Sequence, residues 1–204
     1  MKKIAGTLIL IVLVFTVHAD AQTAEVGAIN AASGTAEMDR APITIGSEQF
    51  HRIVSFHGHS CAGLAMGVRV AQAAARELGG KLDPYNLVAI VETNRCPVDA
   101  IQVLLHTTAG KQNLVYQGHN RNVFTFVRRP DGTGVRITVK DNGWGKSDPV
   151  FESLRTKKIS GKATPEEVKK FEEMMNARAS AILAAPEAQL LTIESVKVAV
   201  PPQN

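Results

Sequence analysis

Cysteine is scarce in this chain of 204 residues: Cys61 and Cys96 are the whole complement, beside one tryptophan and two tyrosines. Two thiols exclude a disulfide-rich scaffold and a four-cysteine zinc site, and the missing Cys-X-X-Cys-His excludes a c-type haem attachment. Charge of one sign is scarce as well. The 23 basic and 19 acidic residues leave a formal net charge of +4, and the basic residues are scattered in pairs such as Arg128–Arg129 and Lys157–Lys158. No nucleic-acid partner is therefore expected. Long apolar runs are limited to one, Ile4 to Val17, which falls short of the ~18 residues of a spanning helix. No internal repeat is present.

What stands around that apolar run gives it a meaning. Lys2 and Lys3 precede it and Ala19-Asp20-Ala21 follows, the charge and small-residue pattern of a secretory signal peptide over residues 1–21. The expectation is a periplasmic or secreted protein with no membrane span after cleavage. No lipobox cysteine follows the cleavage site. In an oxidising compartment the two cysteines form a mutual disulfide unless another chemistry claims them. Residues 22–46, rich in Ala, Gly, Ser and Thr, read as a flexible leader, and residues 47–204 as one domain.

Within that domain, periods of both kinds alternate. Phe50, Ile53, Val54 and Phe56 suit a short amphipathic helix, and Leu64, Val68, Ala71, Ala75 and Leu78 mark a longer one that stops at Gly79-Gly80. Leu87 to Thr93 is a buried strand by composition. It ends at Cys96-Pro97, where proline opens a further helix. Strands at Leu114–Gln117, Asn122–Arg129 and Val135–Val139 surround the turn residues Pro130 to Gly134. Thr164-Pro165-Glu166-Glu167 has the form of a capping box at the head of a helix that Pro186 ends. Leu190 to Val200 closes the chain as a strand. Strands and helices without a βαβ rhythm predict an α+β fold with a mixed or antiparallel sheet.

The chemistry concentrates at His57-Gly58-His59-Ser60-Cys61. An extended chain would project His57, His59 and Cys61 from one face, and imidazole with thiolate suits zinc or another transition metal better than calcium or magnesium. Cys61 and Cys96 both precede helices, where the macrodipole and unpaired N–H groups favour a thiolate. Each is thus a candidate ligand or nucleophile. In the nucleophile reading Cys61 attacks, a histidine is its base and Asp99 orients that base. A disulfide-stabilised binding module is the remaining alternative. His106 and His119 remain candidate outer ligands, with a surface role the preferred reading, and Trp144 is a pocket wall or an aromatic plug.

Three segments, FHGHSCAGLAMGVRVAQAA, VETNRCPVDAIQ and the loop ending GKQNL, resemble the FmdE family, that of the E chain of formylmethanofuran dehydrogenase, over about Phe50 to Val200. The resemblance implies an α+β core with a cavity in which His and Cys residues meet, often around zinc, and frequent homodimers. It implies His57, His59, Cys61 and Cys96 as the metal cluster, with Asp99 in the second motif. The family's name records operon association with a molybdenum or tungsten enzyme rather than a reaction. Ala62 replaces the usual proline, the C-terminal cysteine-paired zinc finger has no counterpart before Asn204, and the signal peptide is a further departure. A metal ion or small molecule is the expected ligand.

Overall fold

The computed structural model describes residues 36–37, 43–145 and 148–200; the segment 1–21, read above as a signal peptide, lies outside them. Of the stretch read as leader, Ala36–Glu37 (β1) pairs antiparallel with Lys81–Leu82 (β2), and Ile43 is buried against the core. The remainder of that stretch up to residue 42 is also outside the described residues.

Ser47 starts the first helix, α1 (Glu48–His57), by accepting the Phe50 N–H at 3.2 Å on its hydroxyl, one of the four donors a helix start leaves open. Helix α2 (Ala62–Glu77) buries Leu64, Val68, Ala71 and Ala75, the residues whose period marks it in the sequence. Its end is closed by Gly79 and Gly80, both at positive φ, with the Gly80 N–H donating to the Ala75 carbonyl. Helix α3 (Pro97–Leu105) begins on the expected proline. Further on lie α4 (Pro149–Ile159), α5 (Pro165–Ala184) and the single turn α6 (Glu187–Leu190), whose last residue the sequence reading assigns to the final strand. The capping box at Thr164 and Glu167 is formed in both directions.

The sheet is mixed. Its order is β4 (Leu114–Tyr116), β3 (Leu87–Val91), β5 (Val123–Arg128), β6 (Thr133–Val139), β7 (Leu191–Lys197). Only the β3–β4 pair is parallel, as it must be when α3 carries the chain back between them. The register sets Ala89 opposite Phe126 and Phe126 opposite Val135, all three buried. Alternate residues of β3, β5 and β6 thereby join the apolar stripe of α2 in one core. The fold is α+β. Arg69 on α2 reaches the far end of α5, donating to the carbonyls of Leu183 and Ala185 at 3.2 and 3.0 Å. Among the described residues no helix is long and apolar enough to cross a membrane.

One charge sits inside this frame. Glu92, at the end of β3, is 2% exposed, and its carboxylate accepts from Arg136 and Arg121, each at 2.6 Å, with His119 at 3.3 Å. Burial pushes this carboxyl up, but the hydrogen bonds from Arg136, His119 and Arg121 outweigh it and hold the group below the usual range. As the pH falls below the unfolded carboxyl value of ~4.3, the unfolded chain takes up this proton first. The stabilisation is thus complete above that pH and is lost as the pH falls through the folded value. Replacing Glu92 with Ala should cost about 2 kcal/mol at pH 7 and flatten the acid limb of the stability profile, measured by urea denaturation between pH 7 and 3.

Candidate metal centre and its cavity

Helix geometry, not an extended strand, assembles the cluster. His57 is the last residue of α1, and Gly58 turns the chain with φ +93, its N–H closing onto the Val54 carbonyl at 2.7 Å. Glycine takes this left-handed conformation without the Cβ penalty other residues carry. The chain then straightens so that Cys61, φ −157, caps α2, its Sγ accepting the Leu64 N–H at 3.3 Å. The uniform one-face projection expected of an extended segment is therefore replaced by a helix end, a turn and a helix start. The ligand atoms still meet. One atom each from His57, His59 and Cys61 lies within 4.8 Å of the others. The two imidazole rings stand 4.5 Å apart, and His57 Nε2 is 3.9 Å from Cys61 Sγ.

Helix α3 supplies the support. Asp99, in its first turn, accepts a hydrogen bond from His57 Nδ1 at 2.5 Å. A carboxylate only accepts, so Nδ1 carries a proton, and in the neutral ring it is Nε2 that offers a lone pair on the side of Cys61. His119 and His106 are outside the group: the first contacts Glu92 and the second is exposed at the end of α3, as surface residues.

Cys96 reaches the cluster because α2 and α3 touch almost backbone to backbone. A Cβ built on Gly63 would fall 2.8 Å from Cys96 Cβ. One on Gly67 would fall 2.3 Å from the Pro97 carbonyl oxygen and 2.9 Å from Ala100 Cβ. Two glycines four apart on one helix face thus admit the head of α3, a spacing that the sequence displays but that no motif reading singles out. The two cysteines are free thiols, Cys61 buried and Cys96 half-buried.

Electrostatics divides the pair. Cys96 is pulled down to about 5 by the hydrogen bond from the Cys61 thiol, against the cost of burial and with help from His57. Cys61 is pushed up, by that same hydrogen bond and by burial, although the Leu64 N–H works the other way. The shared proton thus favours Cys61, which makes Cys96 the more thiolate-like of the two in the metal-free protein. His59 is lowered by burial and by the neighbouring His57, with Lys158 adding to both, which keeps its imidazole in the neutral form a metal requires.

The cluster opens on one side into a cavity of about 920 Å³, lined by His59, Ser60, Cys61 and Cys96 and walled by residues of α1, α4 and α5. The sequence gives none of the α4 or α5 wall residues a site role, because α4 and α5 are distant in the chain from both motifs. Trp144 packs partly buried against the core and borders a neighbouring pocket with Cys96 and Pro97.

Two outcomes check this geometry. Gly67→Ala gains up to about 1 kcal/mol in helix propensity, yet the contact it creates is with a backbone oxygen that no side-chain rotation relieves, so overpacking of about 1–3 kcal/mol wins. The urea midpoint should fall with an unchanged slope. In chelator-treated protein, iodoacetamide should label Cys96 first, with half-maximal rate near pH 5, and Cys61 far more slowly; peptide mass spectrometry reads both sites.

The sequence comparisons agree with the motifs. A relative from Archaeoglobus fulgidus, described as a probable S-adenosyl-L-methionine-binding protein, is 32% identical over 154 residues, 72% of this chain. The chain spans 42% of that relative's length. A crystal structure of a tungsten formylmethanofuran dehydrogenase FmdE-like protein from Syntrophus aciditrophicus aligns with a TM-score of 0.49 at 20% identity, covering 78% of this chain and 77% of that one. The family profile described as FmdE, Molybdenum formylmethanofuran dehydrogenase operon, matches residues 56–192. That match takes in both cysteines, both cluster histidines and the whole five-stranded sheet up to the start of β7, and the chain belongs to the FmdE family.

Proposed function

We propose that this protein is an exported member of its family that binds a transition metal, zinc by its donor set, through His57, His59 and Cys61. The observation that carries the reading is the convergence of three ligand atoms within 4.8 Å. Zinc takes nitrogen at 2.0–2.1 Å and sulfur at 2.3 Å, which places tetrahedral N and S ligands about 3.6 Å apart. His57 Nε2 and Cys61 Sγ, at 3.9 Å, need only a small adjustment. Asp99 behind His57 Nδ1 is the partner a metal-binding histidine commonly has, fixing tautomer and ring orientation.

Within this reading the chain's own groups divide the work. His57 and Asp99 orient the site, while His59 and Cys61 join it to the cavity. In this reading Cys96, beside Cys61 and His57, serves as a fourth ligand or as the acceptor of the proton that Cys61 releases on binding metal, a role supported by its contact with Cys61. A bound zinc supplies Lewis acidity beside a space large enough for a small molecule. Export to the periplasm or beyond is part of the same proposal, supported by the residue pattern of 1–21. Assembly as a homodimer is supported by the family resemblance alone.

Stripped protein should take up one zinc per chain in competition with a chromophoric chelator. Cys61→Ser and His59→Ala should each abolish measurable uptake, and Asp99→Asn should weaken it about 10- to 100-fold. Equal zinc affinity in wild type and Cys61→Ser would overturn the assignment.

A further inference from the structure

We infer that the cavity beside the His/Cys cluster binds a small organic anion, an apolar or aromatic body that carries one carboxylate or phosphate group. At about 920 Å³ the space falls at the upper end of the range for small-molecule sites. Its walls are largely apolar: Phe50 and Val54 of α1 face Phe151 and Ile159 of α4, with Phe171 and Met175 of α5. Phe151 and Phe171 stack at 5.0 Å, giving one wall an aromatic surface.

The charges on this wall do not balance. Arg155, Lys158 and Arg178 line the cavity, against Glu172, the one carboxylate among its lining residues, and Cys96 beside the cluster, so the cations remain in excess. Glu172 accepts from Lys158 at 3.0 Å, which accounts for one cation. Arg155 has Glu152, which is not among the lining residues, at 3.6 Å, an exposed pair whose attraction is small. Arg178 pairs with no carboxylate among the described residues. Its guanidinium lies over the Phe151 ring at 4.4 Å, and its Nη1 is buried with no hydrogen-bond acceptor. Ser60 Oγ, between the two cluster ligands, is likewise buried without a partner. A guanidinium offers five donors and a serine hydroxyl can give or accept. Leaving such groups unpaired in a buried place forfeits their hydration without return. An anionic ligand supplies the acceptors and the charge that this wall lacks, whereas a cation would add to the excess. The aromatic pair accounts for the body, the cations for the head group.

The inference stands on the cavity alone and does not depend on a metal at the cluster, so its test uses the full chain kept metal-free with chelator. Four probes that share one ring system are titrated calorimetrically: 1-naphthoate, 1-naphthyl phosphate, 1-naphthalenemethanol and 1-naphthylmethylammonium. At least one of the two anions should bind tenfold or more tightly than the neutral alcohol, and the ammonium should not bind measurably. Which anion binds more tightly tells carboxylate from phosphate. Arg178→Met and Arg155→Met should each weaken the anion at least fivefold and leave the alcohol unchanged; Arg155 is exposed, so its variant tests the idea even if Arg178→Met fails to fold. Equal affinity for alcohol and anions, or anion affinity unchanged in both variants, would overturn the inference. A failure of zinc uptake would leave these results as they stand.

Discussion

The contact on which the site depends is the approach of α2 to the head of α3 at Gly63 and Gly67. Dispersion between two helices is ordinarily mediated by side chains that hold the axes 8–10 Å apart. Here the missing side chains let the Pro97 carbonyl and Cys96 Cβ occupy the space that two methyl groups would fill. Because Cys96 and Asp99 are fixed to the same helical turn, that one approach delivers the second thiol to Cys61 and the carboxylate to His57 together. Helix α1 contributes His57 from its last turn, so three helix termini converge on a few ångströms. Termini carry unpaired N–H and C=O groups and partial charge. A cluster built on them is polarised before any ion arrives.

Much of this was legible in the sequence. The period of α2, the proline at the head of α3, the capping box of α5 and the turn between β5 and β6 are local signals. Local rules read them correctly because tertiary contacts reinforce rather than override them. The candidate cluster of His57, His59 and Cys61 was legible as well, since the chemistry of His and Cys does not depend on the conformation that unites them. Their conformation was not. An alternating H-X-H-X-C pattern looks like a strand, and only the left-handed turn at Gly58, with α1 running as far as His57, shows that two helices share the segment.

What the sequence hid is long-range. Asp99 and His57 are 42 positions apart, and nothing in either segment announces their hydrogen bond. The buried Glu92 is harder still. A carboxylate at the end of an apolar strand gives no sign of its depth until Arg121 and Arg136 arrive from the loop before β5 and from β6. The cavity wall belongs to the same class. Arg155, Lys158 and Arg178 sit on amphipathic helices as ordinary surface cations would, and their shared orientation follows from how α4 folds back on α5. Proton sharing between the thiols is likewise a property of a contact, not of a motif: both cysteines head helices, yet one is pushed up and the other down.

Helix α5 belongs to two packing units at once. Its C-terminal half places Ala179, Ile182 and Leu183 in the main core, and Arg69 pins its last carbonyls. Its N-terminal half shares with α4 a separate cluster of three buried residues, Phe151, Leu154 and Phe171. Local opening costs least where few apolar contacts must be broken. Fewer buried side chains therefore hold the α4 wall than hold the sheet and the three converging termini. The cavity thus lies between a large core that fixes the thiols and imidazoles and a small one that backs its outer wall, with Met175 packed against both.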